Sequence, residues 1–278
     1  MKILILDRDQ LASQMISSRL KDDETLGEDI HIDEEMVKGD AMEKVTSEGY
    51  DIVMVDPAPL NDAKAIVMNI RRVARKYPYV IIMGEDLQIE DVNKVGANNF
   101  VNKPLDAQDL KQKIIQARAL QEFGGRLSDS SEDFPSAGGV ISKSAFNQLY
   151  LSAVDRGWRY VESAHILSFT FENYDEILKM DGPHHANYSI SKLAQHLTKL
   201  RRQSDVIGQT GANEYSLLLQ RTDKENEAVD AAKRFTANIE EINDFLPEEG
   251  NAIRLRITLM KLPTGHDSFN EVIIKSNV

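Results

Sequence analysis

Arg201-Arg202-Gln203-Ser204-Asp205 is the stretch of this chain best equipped to grip a flat, hydrogen-bonding ligand. Arg202 and Asp205 stand three apart, so at a helix end both side chains project to one side. A guanidinium fork donates to paired acceptors in one plane, and a carboxylate accepts from paired donors. Guanine offers both kinds of edge, with O6 and N7 as acceptors and N1–H and N2–H as donors. Arg201, adjacent, suits a phosphate. Taken alone, Arg and Asp at this spacing form a solvated ion pair worth a few tenths of a kcal/mol. The nucleotide reading therefore depends on what surrounds the pair.

The surrounding elements follow from periodicity. Tyr188 to Arg202 is patterned as an amphipathic helix that delivers the turn. Val206 to Thr210 and Tyr215 to Gln220 alternate as strands around Gly211-Ala212-Asn213-Glu214, a hairpin. Phe146 to Arg156 and Glu225 to Phe245 are helical in pattern. His165 to Phe171 and a final run, Ile253 to Leu262, are strand-like. Upstream, apolar runs at Lys2 to Leu6, Asp51 to Val55, Val80 to Met83 and Asn99 to Val101 alternate with helical patterns such as Asp62 to Lys76 and Asp106 to Phe123. That alternation predicts a doubly wound parallel sheet with ligand chemistry at the carboxyl ends of its strands. Asp7, Asp56, Gly84 and Lys103 each follow such a run and should converge on one rim. Ser-, Gly- and Asp-rich residues with Pro135 separate the two patterns. The expected organisation is an N-terminal domain over 1–123, a linker over 124–139 and a C-terminal domain over 140–278.

Residues 1–123 resemble the receiver domain of two-component response regulators, a flavodoxin-like fold. The resemblance implies that Asp56, in Val53-Met54-Val55-Asp56, is the phosphoacceptor. It implies too that the lysine of Lys103-Pro104 contacts the phosphoryl group and that Asp7 with Asp56 helps bind Mg²⁺. A carboxylate nucleophile, a metal to neutralise phosphoryl oxygens and a lysine to read the added charge make a coherent set. Arg8 stands where the family has a second acid, which weakens the metal site. Asp9 is the remaining acid able to compensate. Gly84 replaces the hydroxyl residue that couples phosphorylation to a conformational change, and Pro57 and Pro59 alter the loop after Asp56. Either Asp56 accepts phosphate, or Asp56 and Lys103 persist as a stabilising pair. Asp106 to Phe123 is a candidate docking or dimerisation face.

From Val140 onward the chain resembles the GGDEF, or diguanylate cyclase, family, an α+β nucleotidyl cyclase-like fold. The resemblance rests on Gly211-Ala212-Asn213-Glu214-Tyr215 with an R-x-x-D turn five residues before it. In that family the turn is an inhibitory site for the product, cyclic di-GMP, completed by an arginine of a following helix. Arg234 in Ala231-Ala232-Lys233-Arg234 matches that arginine. The site takes a stacked pair of nucleotides and ties subunits together, which implies a homodimer. The catalytic positions depart from the family. Thr170 replaces a metal-binding Asp, Asp175 a phosphate-binding Lys, and Leu178 a guanine-reading Asn. Ala212 replaces a glycine that lets backbone approach phosphate, Asn213 an acid, and only Glu214 and Tyr215 keep their types. One carboxylate cannot position two divalent ions for attack on an α-phosphate. No match is seen for the family's closing helix, so the domain is expected to be trimmed.

The expectation is a non-catalytic cyclic di-GMP receptor that signals through a protein partner, such as a regulator of motility or polarity. A nucleotide-independent scaffold stands as the alternative and an active cyclase as the third reading. The 45 acidic against 33 basic residues, net −12, argue against nucleic acid or an anionic membrane as partner. The chain has no cysteine, no apolar run of membrane-spanning length and no signal-like start, so a cytoplasmic location is expected. Three lesser features have bland readings: His184-His185 as an exposed polar loop rather than a metal site, Trp158 and Tyr160 as packing residues, and Asp22 to Glu35 as a solvated loop or helix face.

Overall fold

The computed structural model describes residues 1–26, 29–58, 62–135, 138–220, 226–242, 244 and 250–276. Pro59, Glu225, Phe245 and part of the expected linker lie outside the described residues. The chain divides into two compact units, Met1–Phe123 with Trp158–Val161, and Gly124–Gly157 with Glu162–Val278.

The first unit runs β1 (Lys2–Leu6), α1 (Gln10–Lys21), a 3-10 turn (Glu24–Leu26), β2 (His31–Glu35), α2 (Lys38–Ser47), β3 (Ile52–Val55), α3 (Ala63–Val73), β4 (Tyr79–Gly84), α4 (Ile89–Val95), β5 (Asn99–Asn102) and α5 (Ala107–Ser128, its residues from Gly124 on grouped with the second unit). The five strands are parallel in the order β2-β1-β3-β4-β5. That is the flavodoxin-like order. β3 and β4 read as unbroken apolar runs because helices cover both faces of the sheet. Val53, Val55, Val80 and Ile82 pack with Ala41 and Val45 of α2 and with Ile66, Val67 and Ile70 of α3.

Two expectations change here. The acidic run from Asp22 to Glu35 holds β2, an edge strand paired only with β1 in the sheet. An edge strand needs apolar residues on few positions, so its acids hid it. The helix expected to stop at Phe123 continues through Gly124 and Gly125 to Ser128. Leu120, Phe123 and Leu127 are buried at helical spacing, which carries the helix past two glycines.

The second unit contains α6 (Lys143–Tyr160, its last residues grouped with the first unit), β6 (Ala164–Phe171), α7 (Tyr174–Met180), α8 (Gly182–Leu200), β7 (Val206–Gly211), β8 (Glu214–Gln220), α9 (Glu227–Glu241), β9 (Ile253–Leu262) and β10 (His266–Lys275). Its sheet is antiparallel, in the order β10-β9-β6-β8-β7. Alternate residues of β6, β8 and β9 meet Leu193 and Leu197 of α8 and Phe235 and Ile239 of α9. Phe169 and Phe235 meet edge to face with centroids 5.7 Å apart. On the other side α6 lies so close to β7 that a Cβ on Gly208 would stand 2.6 Å from Phe146.

Ile253–Leu262 is not the last strand, because β10 follows and pairs with it along its length. His184 and His185 lie in the first turns of α8 rather than in a loop. Pro183 fits a first turn, where its missing N–H costs nothing. Tyr160, expected to pack, is 67% exposed. No helix of the described residues is long and apolar enough to cross a membrane.

Candidate functional site

α8 ends at Leu200, and Arg201 caps it with its backbone N–H on the Leu197 carbonyl. The chain then turns back, with the Asp205 N–H donating to the Arg202 carbonyl at 3.1 Å. Asp205 is 5% exposed, and its carboxylate holds the turn from inside. One oxygen accepts from the Arg202 backbone N–H at 3.2 Å and the other from the Ser204 hydroxyl at 3.3 Å. Arg201 donates to the Asp205 carbonyl at 2.6 Å, so both neighbours of the turn stiffen it. Arg202 points the other way. Its side chain is 54% exposed and pairs with Glu227, in the first turn of α9. That bond, then the Glu227 charge, holds the guanidinium above its ordinary pKa. Arg234 is exposed on α9. It lies seven residues, two turns or about 10 Å, beyond Glu227 on the same side of the helix. The turn thus gathers Arg201, Arg202 and Asp205, and Arg234 stands apart from it on α9.

The hairpin site is built differently. β7 and β8 pair Gly211 with Glu214, leaving Ala212-Asn213 at the tip. Asn213 ties that tip to the end of β6: its Nδ2 donates to the Phe171 carbonyl at 2.9 Å, and its carbonyl accepts the Phe171 N–H at 2.9 Å. Glu214 therefore sits beside Thr170 in register, and it is 5% exposed. Thr170 donates to Oε2 at 2.9 Å and Thr210 to Oε1 at 2.7 Å. Thr210 also meets Ser216 at 3.0 Å, and Ser216 meets Ser168 at 2.9 Å. A hydroxyl has one proton, so Thr210 spends its own on Glu214 and must accept from Ser216, which accepts from Ser168. The chain of donors runs toward Glu214. Arg126 completes it, at 3.4 Å from both carboxylate oxygens.

A buried carboxylate survives only when paired and hydrogen-bonded. Here those roles fall to two threonines and a guanidinium. A divalent ion would have to displace Arg126 and find other ligands, and the described residues hold no cluster of three or more His, Asp or Glu able to bind one. Asp175 and Leu178 lie exposed on α7, with no acid facing Glu214 from Thr170. The residues present do not fit the metal pair of a cyclase. Arg126, Thr210, Ser168 and Ser216 were invisible to motif reading. Polar residues at alternate positions of β6 and β8 were the one available signal, and the partner of Arg202, Glu227, had none.

In the first unit, the predicted rim forms. Lys103 donates to Asp7 at 2.7 Å and to Asp56, and its backbone N–H bonds the Gly84 carbonyl at 2.7 Å. Burial lowers the Lys103 pKa, but its bonds to Asp56 and Asp7 outweigh that and raise it overall. Asp9 does not join the rim. Its carboxylate caps α1 by accepting from Leu11 and Ala12 N–H groups. Arg8 is exposed. With Lys103 between the two carboxylates and Asp9 turned away, the pocket as it stands does not fit a resident Mg²⁺.

Comparisons with known proteins found the following similarities. A family described as diguanylate cyclase, GGDEF domain, matches residues 136–277. Solved structures similar to parts of the chain include a two-component response regulator from Clostridium difficile, 23% identical over 42% of this chain and 94% of that one, TM-score 0.37. A chemotaxis response regulator of Vibrio cholerae is 19% identical over 42% of this chain and 97% of that one, TM-score 0.37. A GGDEF domain from Pseudomonas aeruginosa is 20% identical over 43% of this chain and 70% of that one, TM-score 0.37. No curated protein matches.

Proposed function

This chain belongs to the GGDEF family of diguanylate cyclase domains, and from that premise we propose that it is a non-catalytic receptor for cyclic di-GMP. It binds the nucleotide at the Arg202–Asp205 turn and passes the signal to a protein partner. The observation that carries the reading is the contrast between two sites. The hairpin carboxylate is filled by its own chain, through Thr170, Thr210 and Arg126. The turn instead holds Arg202 at the surface, in a half-exposed pair with Glu227, on a backbone that Asp205 makes rigid. A preorganised guanidinium loses little entropy on binding a purine edge or phosphate. Asp205 holds the turn rigid from inside, Arg201 supplies positive charge beside the phosphates, and Arg234 a second cation along α9. The receiver unit makes this a response-regulator-type signalling protein, with Asp56 at the phosphoacceptor position.

Nucleotide binding must break the Arg202–Glu227 pair. An exposed pair is worth up to about 1 kcal/mol, so Glu227→Gln should tighten binding by up to about fivefold. In calorimetry with cyclic di-GMP the native protein saturates and Arg202→Ala shows no binding. Incubation with GTP and Mg²⁺ yields no cyclic di-GMP by chromatography. A flat titration of the native protein, or product from GTP, removes the proposal. One observation favours a second reading, a nucleotide-independent scaffold: Arg202 already has an anionic partner in Glu227. A flat titration with a protein partner recovered in its place would favour that reading.

A further inference from the structure

We propose that β10 is a contact between two copies of this chain, formed by antiparallel pairing of its outer edge about a two-fold axis at Ile273. β10 closes one end of the five-stranded sheet, so one side of a ten-residue strand meets no other strand among the described residues. Natural edges are usually blunted by bulges, proline or lysine. In β10 the irregularity lies between Asp267 and Phe269. From Phe269 to Lys275 the pairing with β9 is regular, there is no proline, and the lysine comes last. Two large apolar side chains on the face away from α8 and α9, Val272 and Ile274, are 43% and 65% exposed. Ile274 also lines one shallow cavity with the exposed Met180 of α7.

The sequence of this edge is complementary to itself in one register. With Ile273 opposite its own copy, Val272 lies across from Ile274 and Glu271 across from Lys275, and the symmetry makes each pair twice. Directly opposed residues of antiparallel strands share a face and approach closely, so apolar pairs and opposite charges both contribute there. Centring on Val272 instead would set Ile274 against Asn270 and Glu271 against Ile273. Centring on Ile274 would set Lys275 against Ile273. Each alternative loses the charged match and replaces two Val272–Ile274 pairs with one apolar self-pair at the axis. Slipping by one residue would oppose the outer face to the core face. A foreign strand imposes no such internal match on this chain; an isologous contact requires it. Lys275 already donates to the Glu240 carbonyl, but an ammonium carries three N–H donors.

Neither Arg202 nor Asp205 lies on β10, so this contact stands or falls apart from nucleotide binding. Sedimentation velocity of the full chain without nucleotide should show a concentration-dependent dimer. Val272→Lys, and Glu271→Lys alone, should each weaken dimerisation about tenfold, because each sets two cations against an unsuitable neighbour. The double variant E271K/K275E should restore it. Circular dichroism confirms that each variant is folded, and Val272→Lys, at an exposed position, keeps the test independent of the Lys275 contact with α9. A native protein that stays monomeric, a dimer indifferent to all three changes, or a double variant no better than Glu271→Lys would each overturn the proposal.

Discussion

At the scale of single residues, Glu214 shows how neighbouring strands of one chain can satisfy a carboxylate. Its carboxylate is buried, and its partners differ in worth. Arg126 is 60% exposed and 3.4 Å away, so solvent screens it, and Arg126→Ala should cost no more than about 1 kcal/mol. Thr210 bonds Glu214 inside the protein and accepts from Ser216. Thr210→Val keeps the shape but leaves both groups short of a partner, which costs about 1–3 kcal/mol. Urea unfolding of the two variants compares them directly. A larger loss for Arg126→Ala would show that charge, not hydroxyl donation, holds the carboxylate. Asp205 teaches the same lesson. The R-x-x-D spacing was legible, but the inward aim of its carboxylate was not, because that depends on a backbone turn of Arg202 to Asp205.

At the scale of elements, close approach of α6 and β7 sets the second unit's far face. Gly208 is required there by Phe146, since any Cβ would stand 2.6–2.8 Å from three of its atoms. A ring held in a packed core cannot withdraw freely, so Gly208→Ala should cost about 1–3 kcal/mol. It should lower the thermal midpoint without altering the helix signal of the folded state. A midpoint unchanged from native would mean that α6 yields more readily than its burial implies. The elements themselves were mostly legible. Buried strands such as β3 and β6 announced themselves by apolar runs or alternation. β2 and β10 did not, because edge strands bury few side chains and their identity comes from pairing rather than from composition. The N-terminal part of α8 was masked by its polar histidines, and the extension of α5 by two glycines.

At the scale of the whole molecule, Asp7, Asp56 and Lys103 meet although up to 96 positions separate them. Three parallel strands, β1, β3 and β5, bring their carboxyl ends to one rim. If that rim still accepts phosphate, a small phosphodonor should add one phosphoryl group, read by intact mass, and Asp56→Asn should add none. An unmodified native protein would leave Asp56 and Lys103 as a stabilising ion pair. The sequence by itself determined the parallel sheet of the first unit, the rim at its strand ends, and the hairpin with its preceding turn, because periodicity and residue spacing are local properties; the second fold class rests on resemblance. Only the tertiary structure decided which charges are already spent. Glu227 on Arg202, Arg126 on Glu214 and Lys103 between two aspartates are pairings across elements, and the electrostatics of a site depend on what distant chain folds against it.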